Sequence, residues 1–254
     1  MAGRKAHNRE LVYGINPVFS ALETSPDKIT SAWIAKGRVE DRRVARIAEE
    51  LETAGVRVQQ ALPHFLDEKT EGGVHQGVVI EMLCEPPLNE HDLEDLVESH
   101  KADRQLYLIL DGVTDPHNLG ACIRSAWAAG ASAVIVPRDR SASLTPVARK
   151  TAAGGAQNVP FVEVTNLART LDMLRDHEIE VVGLAGEGSS DIFDYKFKKQ
   201  TAIVMGSEES GMRRLTREKC DTIVKIPMAK GVESLNVSVA AGISLFECVR
   251  VIGL

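Results

Sequence analysis

From residue 104 onward the chain alternates short apolar runs with segments of helical period, and this alternation restricts the fold more than any other feature. Apolar runs near 105–110, 132–136, 160–164, 179–184, 201–205 and 222–226 have strand length and little polar alternation, as strands buried on both faces require. Helical segments fall near 118–129, 143–153, 166–177, 212–219 and 236–250. The order is that of an α/β domain with a parallel sheet covered on both faces. Ligands of such sheets bind beyond the carboxyl ends of the strands, so the loops that follow the strands carry the functional question.

Two of those loops stand out, joined in the stretch Met205–Gly242. The first follows the 201–205 run and sets Gly206, Glu208 and Gly211 ahead of the basic residues Arg213, Arg214, Arg217 and Lys219. Glycine there lets backbone approach a ligand. The second follows the 222–226 run, carries Pro227 and Gly231, and supplies Ser234 and Asn236 as helix-start residues. Taken singly, each glycine also reads as a turn former and each polar residue as a helix cap.

A third loop, DGVTDPHNLG, follows the first run. Asp115, Pro116 and His117 are turn chemistry, and Asn118 can cap the helix that follows. On that helix Leu119, Cys122, Ile123, Ala126 and Ala129 share an arc from which Arg124 points away. Arg124 is either a solvated arginine or one held over the strand ends. Trp127 sits at the edge of the arc, in the core or at an interface.

The net charge of −6 argues against an anionic partner only until its distribution is read. Residues 84–103 hold one basic against seven acidic residues, so the acidity resides there and both flanks are near neutral. With Pro86 and Pro87 at its start and a short polar helix after them, this segment has the composition of an interdomain linker. Residues 1–83 read as a small α/β unit: helix Tyr13–Leu22, strand Thr30–Ala35, helix Glu40–Ala54, strand Val56–Gln60, a short helix and a strand at Gly77–Glu81. Arg138, Arg140, Arg149, Lys150, Arg213 and Arg214 follow strand ends of the second domain and are candidates for phosphate contacts.

No run reaches the length of a membrane span and the start MAGRKAHNRE lacks an apolar leader, so a cytoplasmic protein is expected. The four cysteines form no C-x-x-C pair and the seven histidines no cluster, which indicates neither a disulfide framework nor a metal site. Gly183, Gly186 and Gly188 come nearest to a dinucleotide fingerprint, but the polar DIFDYKFKK follows them in place of a helix. Neither a G-x-x-x-x-G-K-[ST] loop nor a serine-hydrolase elbow occurs. The last helix is apolar on two sides, Val237, Ala241, Leu245 and Cys248 on one and Val239, Ile243 and Phe246 on the other, which points to a homodimer.

Taken together, three motifs resemble those of the SpoU (TrmH-type) RNA ribose 2′-O-methyltransferases: N-L-G-A-C-I-R ending at Arg124, M-G-S-E-E-S-G-M from Met205, and I-P-M-A-K-G-V-E-S-L-N-V-S-V-A from Ile226. Residues 1–83, with YGINPVFSAL and GGVHQGVV, resemble the L30e-like substrate-binding domain that precedes the catalytic domain in some members. The resemblance implies a catalytic domain over 104–254 tied in a deep trefoil knot, an L30e-like α/β domain over 1–83 and a linker over 84–103. It implies S-adenosyl-L-methionine as cofactor, held largely by backbone around Gly206, Ile226 and Leu235. Carried over by position, the active-site set is Asn118, Arg124, Glu208, Ser234 and Asn236. The implied substrate is a guanosine of 23S rRNA, in the P loop of the peptidyl-transferase centre, with no DNA or membrane partner and a homodimer through the catalytic domain. Transfer RNA, another rRNA loop and a non-catalytic RNA-binding role are the alternatives. The family assigns Arg124 to activation of the ribose hydroxyl; a guanidinium holds its proton, so binding the adjacent phosphate and stabilising alkoxide charge suits it better.

Overall fold

The structure, a computed structural model, describes residues 8–84, 86–100 and 104–253; the reading of the first seven residues, and of the Cys84 side chain, lies outside it. The chain divides into two compact units. One takes the chain up to Pro86 together with Leu144–Asn158, and the other takes Pro87–Ser143 and the chain from Val159 onward.

In the first unit β1 (Asn8–Tyr13), α1 (Ile15–Thr24), β2 (Ile29–Ala35), α2 (Arg42–Thr53), β3 (Val58–Ala61), α3 (Pro63–Lys69) and β4 (Val78–Cys84) follow in order. The strands pair in the order β1-β4-β2-β3, antiparallel except for β2 with β3. Helix α2 shows how the sequence dictates the packing. Asp41 caps it, accepting from the Arg43 N–H at 3.0 Å, and Val44, Ile47 and Leu51 recur at helical spacing and are buried. They meet Val12, Ile34 and Ile80 of the sheet. Each such burial is worth roughly 1.5–3 kcal/mol, and Ile47→Ala would cost about 2–5 kcal/mol.

Continuing along the chain, α4 (Glu90–Ser99), β5 (Gln105–Asp111), α5 (Pro116–Ala128) and β6 (Ala133–Pro137) belong to the second unit, and α6 (Pro146–Ala152) and α7 (Gly155–Asn158) to the first. The second unit then resumes with β7 (Phe161–Val164), α8 (Leu167–Asp176), β8 (Glu180–Leu184), β9 (Ser190–Asp191), β10 (Gln200–Gly206), α9 (Arg214–Glu218), β11 (Thr222–Lys225) and α10 (Val237–Ile252). Its seven strands form one sheet in the order β7-β6-β5-β10-β8-β11-β9, every pair parallel. All six expected strands are present, and every residue of β5 and β6 is buried, which is why they read as unbroken apolar runs.

Three expectations need correction. The segment 84–103 is not a free linker through its length. Asn89 and Asp92 form a capping box that opens α4, and Leu93 and Val97, four residues apart, are buried with Ile135, Val162 and Leu171 in the second unit's core. Ahead of it Leu88 exchanges backbone hydrogen bonds with β7, to the Phe161 carbonyl at 2.9 Å and from the Glu163 N–H at 2.8 Å. The charges that suggested a linker lie on the helix's solvent side.

The helix expected at 143–153 forms as α6 but packs in the first unit, against β1. Arg149, a candidate for RNA contact, is buried there as an ion pair with Glu10, and Lys150 donates to the Val74 carbonyl and lies 5.5 Å from the Tyr13 ring centre. A buried, paired arginine is not available to a phosphate. Finally, Asp115 rather than Asn118 caps α5: it accepts from the His117 N–H at 2.9 Å, with Pro116 in the first turn. Asn118 is left free for other work.

Candidate active site

Three neighbouring parallel strands, β10, β8 and β11, end at one cavity of about 370 Å³. The loop after β8 supplies Leu184–Glu187, the loop after β10 supplies Met205–Glu208 and Ser210–Met212, and the chain after β11 supplies Ile226, Met228 and Glu233–Leu235. Val237 and Ala240 of α10 close it. The β10 loop folds back on itself, Ser207 and Gly211 exchanging backbone hydrogen bonds at 3.1 and 3.0 Å. Gly206 is required by that fold: a Cβ there would lie 2.1 Å from backbone atoms of Gly211 and Met212. Behind the β8 loop a Cβ on Gly188 would lie 2.5 Å from the Val224 carbonyl carbon. Backbone therefore forms much of this wall; Leu184, Met205, Ile226, Leu235 and Val237 add apolar surface, and Glu187, Glu208, Arg217 and Glu233 add charge.

A second cavity, of about 480 Å³, lies at the end of β5 and is lined by Asp111–Asp115, Asn118, Arg140, Ser207–Gly211, Arg213 and Val237. The two share Ser207, Glu208, Ser210, Gly211 and Val237. The common wall is tied by one carboxylate. Glu208 Oε1 accepts from Asn236 Nδ2 at 2.7 Å, from the Val237 N–H at 3.0 Å and from Asn118 Nδ2 at 3.3 Å. The second Asn236 Nδ2 hydrogen reaches Asn118 Oδ1 at 2.9 Å, and Asn236 Oδ1 caps α10 by accepting from the Ser238 N–H at 3.0 Å. A carboxylate at a helix N-terminus is stabilised by the exposed N–H groups and the helix dipole. Three loops distant in sequence are thereby held at one point.

On the other side of the second cavity, Asp111 is buried at the end of β5, where it accepts from the Arg213 N–H at 2.8 Å and pairs with Arg213 Nε at 3.3 Å. Arg213 Nη2 also donates to the Asp139 carbonyl at 3.3 Å. One side of the guanidinium is thus fixed while its side chain stays partly open to solvent. Cys122 lies beneath the site; burial, and secondarily the Glu208 charge, push its thiol up to about 12.

Six of the eight residues named from sequence therefore line these cavities, and a seventh, Asn236, is bonded to two of the six. Asn118, Glu208 and Asn236 touch one another, while Gly206, Ile226, Ser234 and Leu235 line the first cavity. Arg124 does not join them. It is exposed on α5, lines neither cavity, and lies roughly 9 Å along the helix axis from Asn118. Glu208 holds the two asparagines, not Arg124. The β8 loop, Leu184–Glu187, was missed as a cavity wall. Its signal in the sequence is the triplet Gly183, Gly186, Gly188 at a strand end, which the polar DIFDYKFKK follows in place of a helix. Among the described residues no group of three or more metal-ligating side chains occurs.

The model of the SpoU rRNA Methylase family matches residues 105–246. The chain belongs to the SpoU rRNA methylase family. A second family model, RNA 2'-O ribose methyltransferase substrate binding, matches residues 11–83. SpoU relatives similar over nearly the whole length include the 23S rRNA (guanosine-2'-O-)-methyltransferase RlmB of Salmonella typhi, 53% identical across 95% of this chain and 98% of that protein, and that of Escherichia coli K12, 52% identical with the same coverage. Among solved structures, the SpoU methyltransferase AviRb from Streptomyces viridochromogenes is similar with a TM-score of 0.78 and 27% identity, covering 96% of this chain and 90% of that one. The same enzyme in complex with AdoMet gives a TM-score of 0.77 and 26% identity, covering 95% and 90%.

Proposed function

We propose that this SpoU protein transfers a methyl group from S-adenosylmethionine to the ribose 2′-oxygen of a guanosine in 23S rRNA, in the P loop of the peptidyl-transferase centre. The observation that carries the reading is a backbone-walled, apolar cavity set against a polar, arginine-bearing groove, with Glu208, Asn118 and Asn236 at their common wall. The relatives named above as 23S rRNA guanosine 2′-O-methyltransferases, alike along almost the whole chain, support the substrate.

The first cavity suits S-adenosylmethionine. Gly206 leaves a cradle no other residue allows, Ile226, Leu235, Val237 and Ala240 offer an apolar bed for an adenine, and Glu208 and Glu233 place carboxylates near a cation. When bound, the cofactor supplies the methyl group on a sulfonium. The protein must align the ribose oxygen and assist loss of its proton. Asn118 and Asn236, locked by Glu208, orient the ribose, and Ser234 borders the cavity to bind ribose or backbone. Arg140 and Arg213 face the groove, where they bind phosphates flanking the target. Arg124, exposed on α5 and outside both cavities, serves as a phosphate-binding group that meets RNA at the protein surface.

A homodimer is part of this reading. Val239 and Phe246, about half exposed, form with Ile243 an apolar stripe on α10, whose opposite side is buried on its own unit. A second copy covers that stripe. The trefoil knot also belongs to the proposal, supported by β10 lying between β5 and β8, two strands formed earlier in the chain. No helix among the described residues is long and apolar enough to cross a membrane, in keeping with a cytoplasmic rRNA enzyme.

The test incubates the protein and labelled S-adenosylmethionine with total RNA from a strain lacking the gene, then maps the methylated ribose. Label at a guanosine in the 23S P loop is expected. Label in tRNA or another rRNA loop overturns the substrate, and RNA retained without label overturns the reaction.

A further inference from the structure

We propose that the first unit carries a stacking platform for an unpaired RNA base, built from Trp33 and Phe65 on the α3 side of its sheet. The proposal rests on the reading that this protein acts on RNA, and it names a surface remote in sequence from all three methyltransferase motifs.

The platform follows from strand alternation. On β2, Ala32 and Ile34 turn into the core beneath α1 and α2, so Trp33 turns to the opposite side of the sheet, where α3 covers only part of it. There Tyr13, Ala35, Leu66 and Val79 form a small buried cluster, and Trp33 sits at its border, half-buried. Phe65 of α3 stands beside it, with ring centres 6.5 Å apart, an interplanar angle of 53° and 41% of its surface exposed. The two rings open onto a concavity of about 340 Å³ with Gln59, Gln60, Leu62 and His64 at its rim.

Each part matches one portion of a nucleotide. Exposed aromatic rings beside amide side chains suit a base that is stacked on its face and hydrogen-bonded at its edge. Gln59, Gln60 and His64 are exposed, and their side chains make no hydrogen bond with the described residues. The Lys69 ammonium lies 4.2 Å from the Trp33 ring centre and 5.9 Å from that of Phe65. A cation on an exposed ring is a weak contact that a stacked base outweighs, and the displaced ammonium is then free to take the nucleotide's phosphate. Lys36 follows directly after β2, its backbone N–H bound to the Ala61 carbonyl at 2.8 Å, and adds a second basic residue to this end of the unit. An apolar protein segment would leave the amides and Lys69 without partners, so the chemistry favours RNA. The family model for substrate binding covers this whole surface.

Two measurements on the full chain test the platform. In the first, unmodified 23S rRNA from a strain lacking the gene is titrated against Trp33→Leu, Trp33→Phe and Phe65→Ala. The expected result is a KM for RNA raised roughly tenfold by Trp33→Leu and by Phe65→Ala, the size of one lost stacked base, with near-normal KM for Trp33→Phe. The S-adenosylmethionine Kd should stay unchanged in all three, which shows that the second unit is intact. Unchanged KM in Trp33→Leu and Phe65→Ala would overturn the proposal, and equal losses in Trp33→Leu and Trp33→Phe would mean packing rather than stacking. In the second, 4-thiouridine-substituted 23S rRNA is photocrosslinked to the wild-type protein. Crosslinks in the peptides bearing Trp33 or Phe65 are expected; crosslinks confined to other peptides overturn the platform. This second measurement needs no methyl transfer, so it separates failure of the platform from failure of the proposed reaction.

Discussion

The cavity beyond β8, β10 and β11 is shaped by close-packed backbone at Gly206 and by apolar side chains, with Glu187, Arg217 and Glu233 among its lining, whereas the groove at the end of β5 is walled by Asp111, Asp115, Asn118, Arg140 and Arg213. The two meet across five residues yet tolerate change differently. A wall made of backbone is set by which residues can be absent, so glycine and the loop register decide it. A wall made of charged side chains is set by how each charge is held, and here Asp111 and the Asp139 carbonyl hold Arg213 while Glu208 holds the asparagines. The first wall should therefore fail all at once and the second by degrees.

The largest effect is expected from Gly206→Ala. The added methyl would overlap backbone of Gly211 and Met212, so the β10 loop must open. Calorimetric titration should show S-adenosylmethionine binding weakened by at least about 100-fold, close to 3 kcal/mol, while the melting profile of the first unit persists. Near-normal binding would mean the loop is not a wall of the cofactor site.

Next in size is Glu208→Gln, which removes the charge but keeps the shape. Charge-assisted hydrogen bonds to Asn236 and the Val237 N–H become neutral ones, at a cost of about 1–2 kcal/mol. Methyl transfer should fall roughly tenfold or more with a lowered Tm. A change confined to Tm would make Glu208 a helix cap and nothing else.

Arg140→Ala touches the groove alone. The KM for RNA should rise several-fold and the dependence of log K on log salt should lose about one unit of slope, with the S-adenosylmethionine Kd unmoved. A shift in cofactor affinity would blur the division between the two walls. If the proposed dimer forms through α10, Phe246→Glu should convert it to a monomer in light scattering, since a carboxylate then enters the apolar stripe.

The smallest effect concerns the thiols. Burial pushes Cys122, Cys220 and Cys248 from an ordinary 9.0 to about 12, so their folded forms stay protonated. The stability this contributes is fully present below about pH 9, where the unfolded thiols are protonated too. It is lost as pH rises toward 12, because unfolding then releases protons. At pH 8 Cys122 and Cys248 should resist a disulfide reagent in the native chain and react after denaturation. Rapid native labelling would contradict the packing beneath the site.

The same contrast explains what was legible in the sequence. Buried parallel strands announce themselves, because both faces demand apolar residues, and all six were placed. The first strand, β1, was not, because NRELVY mixes charge with apolar residues and its pairing partner, β4, lies some seventy residues away. A short polar helix is legible in the acidic segment and forms as α4, but its charges hide that Leu93 and Val97 pack it into the core. The groups that gather at the shared wall, Asn118, Glu208 and Asn236, came from motif resemblance, since spacing in sequence says nothing of three loops meeting. Arg149 and Lys150 look alike from sequence with Arg138 and Arg140, and only tertiary packing turns the former pair inward. The glycines around the β8 loop match no dinucleotide fingerprint, and what gives them meaning is their place at a strand end, which only the sheet order reveals.

The measurement that bears most directly on the two-walled site is a crystal structure of the chain with S-adenosylmethionine. The expected result has the adenosine and methionine between the β8 loop, Gly206 and Leu235, with the sulfonium methyl turned toward the wall shared by Glu208, Asn118 and Asn236. Ligand bound in the groove of Arg140 and Arg213, or in the first cavity with its methyl turned away from that wall, would contradict it.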